Sequence, residues 1–284
     1  MSACDATNIQ GEEQAAMDVV ANEIFFKHLK SRVAYLASEE NEDMTVGSRD
    51  KGYEIAFDPL DGSSNLDASI ATGSIFGIFP LDKSCPPFSR SGRSLVAAGY
   101  CLYSSSVELV VSFNGGRGVV GFTLDPSKKD EGTTDQAASF LLSRPSLQCP
   151  MHGTYYSLND GREPDWPQGL SRWIHDAKRG LTPCGTKFSS RYVCSLVADV
   201  HRTIIKGGWA GNPRPHLRLL FEAAPLAFVI ESSGGLGSDG LMNLLDIKPS
   251  SLHDRVSVFL GSKGDINELV AYGDVQQPPQ TYKS

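Results

Sequence analysis

Apolar positions recur along the chain with two periods. Met17, Val20, Ala21, Ile24, Phe25 and Leu29 follow i, i+3, i+4 spacing and predict an amphipathic helix over 12–30, with those residues facing inward. Short apolar or alternating runs predict strands at 33–37, 54–57, 74–80, 95–103, 107–113 and 118–124. The last two flank Asn114-Gly115-Gly116-Arg117, a hairpin signal. Pro59, which has no N–H to donate, predicts the end of the strand at 54–57. Residues 41–52 read as a loop and the polar stretch 125–135 as a linker. Helical patterns follow at 170–178, 190–200 and 217–232, the last stopped by Gly234-Gly235, and a late strand is predicted at 256–260. Strands and helices mixed in both halves predict an α/β (α+β) layered protein, with halves at 1–145 and 146–284.

Composition narrows this picture. The 284 residues are 40% hydrophobic and 21% charged, within the globular range. A formal charge of −7, from 26 basic and 33 acidic side chains, argues against a nucleic-acid or anionic-membrane binder. No apolar run reaches the length of a membrane span. The acidic N-terminus lacks the basic and apolar parts of a signal or transit peptide. Six scattered cysteines show no CxxC pair and no His partner at zinc spacing, so they read as small buried hydrophobes or idle surface groups. These features predict a reducing, cytoplasmic location.

The chemistry concentrates in Phe57-Asp58-Pro59-Leu60-Asp61-Gly62-Ser63-Ser64-Asn65. Asp58 and Asp61 straddle a Pro-constrained turn, and with the Leu60 carbonyl they form a hard-oxygen set suited to Mg²⁺ or Mn²⁺. Gly62, Ser63 and Ser64 can then present successive N–H groups to a phosphate. The same five-residue DPLDG pattern also reads as an ordinary Asp-Pro turn with a solvated Asp. Glu222 interrupts an apolar run, where a lone carboxylate is costly unless metal-bound or paired. Glu39 and Glu40 taken alone read as a solvated pair, and Asp18 lies beside the apolar face of the first helix. His201 and His253 read as structural histidines.

DPLDGSSN, preceded by SEE and followed by GSIFGIF, resembles the class I fructose-1,6-bisphosphatase family of the inositol-monophosphatase-like superfamily. LVAAGYCLY, YSLNDG, RYVCSLVADVHRT and LRLLFEAAPLAFVIE extend the resemblance, in order, over most of the chain. It implies a layered αβαβα sandwich. It also implies a phosphatase that removes the 1-phosphate of a ketose bisphosphate by direct, metal-assisted attack of water. The implied metal ligands are Glu39, Glu40, Asp58, the Leu60 carbonyl, Asp61 and Glu222, holding two or three Mg²⁺ ions, with Mn²⁺ as a second fitting ion. Asp18, in a segment similar to the family's DVLSND stretch, would act with Glu40 on the attacking water. Gly62, Ser63 and Ser64 would hold the 1-phosphate.

Asn159, Arg162, Arg191, Tyr192 and His216 would serve the distal phosphate, with Arg191 reaching in from a neighbouring copy of a homodimer or homotetramer. The 1–145 half would carry metal and 1-phosphate, and the 146–284 half the sugar and distal phosphate. Arg162 stands where fructose bisphosphatases usually have Tyr. The 207–217 loop is several residues shorter than theirs, and His216 replaces its usual Lys. These departures favour a sedoheptulose-1,7-bisphosphatase-like branch; the alternative is loop drift that keeps fructose-1,6-bisphosphate. Aligned by motif, the chain begins near the DVLSND helix, which implies absence of the AMP inhibitor site. A phosphatase of the inositol type and a non-catalytic interaction protein are competing readings.

Overall fold

The computed structural model describes residues 16–114, 118–129 and 138–278. Helix α1 (Ala16–Leu29) leads into β1 (Tyr35–Ser38), β2 (Thr45–Val46), β3 (Tyr53–Asp61), β4 (Thr72–Pro80), β5 (Ala97–Tyr103), β6 (Val107–Phe113), β7 (Val119–Lys129) and β8 (Ala138–Leu147). These strands form one sheet in the order β2-β1-β3-β4-β5-β6-β7-β8. Only β1 and β3 pair in parallel; the other neighbours are antiparallel. Then come β9 (Tyr155–Ser157), α2 (Gln168–Arg179), β10 (Ser189–Ser190), α3 (Leu196–Lys206), β11 (Trp209–Arg218), α4 (Ala224–Ser232), β12 (Leu236–Ser238), β13 (Arg255–Gly261) and α5 (Lys263–Ala271). The second sheet runs β10-β9-β11-β13-β12.

Alternation along each strand assigns its side chains to different layers. Ile55 and Phe57 of β3 join Leu36 of β1 under Phe25, Phe26 and Leu29 of α1, while Ala56 and Ala37 face the main core. That core contains Val197, Val200 and Ile204 of α3, Leu226 to Ile230 of α4, and Val258 and Leu260 of β13. α3 and α4 are therefore sandwiched between the sheets. The outer face of the second sheet is covered by α2 and α5 through Leu170, Trp173, Ile266 and Leu269, around an aromatic set of Tyr156, Trp209 and Phe259. The layers are α, β, α, β, α, as the family resemblance implies.

Several local expectations are corrected. The predicted inner face of α1 is rotated: Met17, Val20 and Ile24 are exposed, and Asp18 is buried. The inward stripe is Asp18, Asn22, Phe25 and Leu29, whose polar end apolar spacing cannot detect. Pro59 does not end β3. It lies in a bulge where the register passes from Asp58↔Ile75 to Asp61↔Gly73. The expected linker is strand as far as Lys129, and its residues 130–135 lie outside the described ones. The 190–200 pattern becomes helix only from Leu196, capped by Ser195, whose side chain accepts from Ala198 N. The 207–217 loop is β11, bulged between Asn212 and Leu217. The long 217–232 helix begins instead as a π-helical turn, Leu219–Ala223, that runs into α4.

Candidate active site

Residues three apart on a regular strand point to opposite faces. Between Asp58 and Asp61 the first sheet advances three residues on β3 against two on β4, and this extra residue turns both carboxylates the same way. The bulge is internally satisfied: Ser74 Oγ donates to the Pro59 carbonyl at 2.7 Å, and Leu60 N donates to Asp58 Oδ1 at 2.9 Å. Glu222 comes from the π-helical turn of the central layer, where its Oε2 accepts from Arg218 N at 2.6 Å. One carboxylate oxygen each of Asp58, Asp61 and Glu222 lies within 4.8 Å of the others, and all three side chains are buried.

These acids line a cavity of about 470 Å³ with Asp18, Glu39, Glu40, Leu60, Gly62, Ser63, Ser64 and Tyr192. Gly62 adopts φ +76°, a left-handed conformation that favours glycine, and leads into the 3₁₀ turn Ser63–Asn65, whose Ser63 and Ser64 line the same cavity. Seven carboxylates line the cavity, the seventh being Asp199, and among the described residues no Lys or Arg lines it. Burial, then the charges of Glu39, Asp61 and Glu222, push Asp58 well above the usual carboxylate range. Burial likewise raises Asp61, to about 7, and Glu222 well above its usual value. Three buried carboxyls so held against ionisation are a donor set that fits hard divalent cations.

Residues that the sequence reading missed position this set. Arg218 is 2% exposed and its Nη2 pairs with Glu39 Oε1 at 3.0 Å, while its backbone holds Glu222. The first turn of α3 directs Val197 N to Asp61 Oδ2 at 2.9 Å, so the helix N-terminus supports that carboxylate. Asn22 accepts from Ser38 Oγ and donates to Asn41 Oδ1, both at 2.7 Å, tying α1 and Asp18 to the end of β1. A polar residue four positions after Asp18 was the available signal for Asn22. For Arg218 it was a basic residue abutting an apolar run.

A second cavity adjoins the first, sharing Tyr192, Cys194, Gly211, Asn212 and His216. Asn159, Arg162 and Arg214 line it too, with Arg214 and His216 carried on the β11 bulge. Asn159 caps the 3₁₀ turn Asp160–Asp165 by accepting from Gly161 N at 3.1 Å, and Arg162 Nη1 lies 3.9 Å from Asp165. Arg191 lines neither cavity. Its guanidinium donates to the Ser190 carbonyl and lies 5.4 Å from the Tyr155 ring centre. The two expected structural histidines have local partners: His201 Nδ1 lies 2.9 Å from the Tyr100 hydroxyl, and His253 Nε2 lies 2.9 Å from the Asn41 carbonyl.

Comparison with known proteins bears on this arrangement. Residues 1–133 match the family described as "Fructose-1-6-bisphosphatase, N-terminal domain", and residues 149–274 match its C-terminal domain. A chloroplastic fructose-1,6-bisphosphatase of Brassica napus is 42% identical over 94% of this chain and 69% of its own length. A cytosolic one from the same plant is 41% identical over 93% and 79%. The fold is similar to that of Leishmania major fructose-1,6-bisphosphatase in holo form, with a TM-score of 0.86 at 34% identity, over 95% of this chain and 85% of that one.

These relatives overturn the cytoplasmic expectation, since the chloroplastic form is 42% identical and the cytosolic one 41%; scattered thiols and net acidity do not distinguish the two compartments. They also favour the fructose alternative over the sedoheptulose branch. With both domains matched and the fold in agreement, the chain belongs to the fructose-1,6-bisphosphatase family of metal-dependent sugar-bisphosphate phosphatases, and its enzyme class is phosphoric monoester hydrolase.

Proposed function

We propose that this chain hydrolyses the 1-phosphate of fructose 1,6-bisphosphate, with two or three Mg²⁺ ions held by Glu39, Glu40, Asp58, the Leu60 carbonyl, Asp61 and Glu222. The observation that carries the reading is the carboxylate-lined cavity: of its seven acids Glu39 and Asp199 form arginine ion pairs, with Arg218 and Arg202, and neither arginine lines the cavity. A substrate phosphate can enter such a field only alongside cations. When bound, the metal ions neutralise the phosphate and polarise its oxygens.

The chain supplies the rest. Asp18 and Glu40 orient the attacking water and take its proton. Gly62, Ser63 and Ser64 hold the phosphate oxygens in line with that water. The sugar extends past Tyr192 toward Asn159, Arg162 and His216, which receive the distal phosphate. Arg162 and the neighbouring Arg214 are the charged partners there. Arg191, turned away from both cavities of its own chain, serves a neighbouring copy in a homodimer or homotetramer. In this reading the 1–145 half carries the 1-phosphate and every metal ligand but Glu222, and the 146–284 half carries Glu222, the sugar and the distal phosphate.

The test is phosphate release from fructose 1,6-bisphosphate and sedoheptulose 1,7-bisphosphate, side by side with Mg²⁺. Faster turnover of the fructose compound is expected. A clear preference for the seven-carbon sugar would overturn the substrate, and no release from either, with metal saturating, would overturn the activity. Arg191→Ala in the same assay raises KM for the bisphosphate. An unchanged KM, or a monomer by light scattering, would remove Arg191 from its assigned role.

A further inference from the structure

The catalytic carboxylates do not account for every cluster of ligating side chains. His152, Cys184 and Glu268 each place one ligand atom within 4.8 Å of the other two, and none lines the catalytic cavity. They come from three separate segments: the approach to β9, the turn between α2 and β10, and α5. We propose that His152, Cys184 and Glu268 form a zinc-type divalent cation site in the C-terminal half.

The imidazole is set up for ligation. His152 Nδ1 lies 2.8 Å from Oδ1 of Asp265, a fully buried carboxylate whose other oxygen accepts from Gly153 N at 2.8 Å. A carboxylate on Nδ1 fixes the proton there and leaves the Nε2 lone pair for a metal, the usual partner arrangement of a metal-binding histidine. Nε2 lies over the backbone of Gly264, where a Cβ would come to within 2.5 Å of it, so glycine at 264 makes room for the ring.

The other two donors carry matching features. Glu268 Oε2 is buried without a hydrogen-bond partner among the described residues. A carboxylate oxygen in that state is costly unless a cation meets it. Cys184 Sγ lies 3.3 Å from Thr182 Oγ1, a hydroxyl able to donate to a thiolate. The donor–donor edges of a tetrahedral zinc site are about 3.3–3.8 Å, given bonds of about 2.0–2.3 Å, so small side-chain rotations close the set.

One nitrogen, one sulfur and one oxygen select a borderline ion such as Zn²⁺ over Mg²⁺, the opposite preference to the all-oxygen catalytic set. Three protein ligands leave a fourth position for water. A bound ion would join the α2–β10 turn to α5 and to the start of β9, so its binding adds to the stability of that half.

The test is a Co²⁺ titration of the chelator-treated full chain with excess Mg²⁺ occupying the catalytic carboxylates. A thiolate-to-cobalt charge-transfer band saturating at one equivalent, and displaced by Zn²⁺, is expected. Cys184→Ser abolishes it, and His152→Ala and Glu268→Gln each weaken Co²⁺ binding at least about tenfold. Cys194→Ser, which removes the thiol lining the catalytic cavity, keeps the band. Absence of a thiolate band, its persistence in Cys184→Ser, or its loss in Cys194→Ser would overturn the site. Zn²⁺ should also raise the melting temperature of the wild type and not of Cys184→Ser or His152→Ala, and an equal rise in all three would count against it.

Discussion

Asp61 sits 7% exposed beside Asp58 and Glu222, and its carboxyl is pushed up to about 7, chiefly by burial. The Val197 N–H opposes that shift, but cannot cancel it. Such a carboxylate is an efficient cation ligand and a poor contributor to stability, a trade common at active sites. Asp61→Asn is therefore expected to act in opposite directions on two readouts. Mg²⁺-dependent phosphate release falls on the order of 10²–10³-fold, by analogy with removal of a single electrostatic contact to the reacting group. In chelator at pH 8 the melting temperature rises, because a buried like charge has gone. A melting temperature that fell with activity would show Asp61 to be a structural ion-pair partner instead.

At the scale of elements, the site depends on how closely α3 approaches the first sheet. A Cβ at Gly73 of β4 would lie 2.6 Å from the Cys101 carbonyl and 2.8 Å from Val197 Cγ1. Glycine there lets the first turn of α3 come down on the sheet, with Val197 N on Asp61. Gly73→Val should push the helix away, costing about 1–3 kcal/mol in urea unfolding and weakening Mg²⁺ activation together. Gly52→Ala is the matched control, since a Cβ at Gly52 meets nothing within 4 Å, and it should stay within about 0.5 kcal/mol of wild type. If Gly73→Val lost stability and kept its Mg²⁺ response, the coupling of α3 to the proposed metal ligand Asp61 would be wrong. The β3 bulge works at the same scale, because without it Asp58 and Asp61 would point to opposite faces of the sheet.

For the whole molecule, the acid cluster couples folding to pH and, on the proposed function, to metal. Asp58, Asp61 and Glu222 all have raised folded values, so between about pH 4 and pH 7 the folded chain holds more protons than the unfolded chain. The resulting stability is present at the acid end and lost as pH rises through the Asp61 value of about 7. In chelator, melting temperature should fall across that interval, and saturating Mg²⁺ should remove the slope; a flat profile in chelator would contradict the cluster's electrostatics.

Read alone, the chain pointed to the family and to a layered mixture of helices and strands, and it singled out Asp58, Asp61 and Glu222, which the fold brings within 4.8 Å of one another. These were legible because carboxylates beside a Pro-Leu turn, or inside an apolar run, are chemically conspicuous in one dimension. The inward stripe of α1 was not legible, since its cavity end is Asp18 and Asn22 and apolar spacing selects Met17, Val20 and Ile24 instead. Arg218, Val197 and the β11 bulge were hidden for a related reason. Each acts on a partner distant in sequence, and a helix N-terminus aimed at a carboxylate or a cation paired across layers leaves no local period. Which residues those are emerges when the layers pack, because long-range packing sets the distances on which buried charge depends.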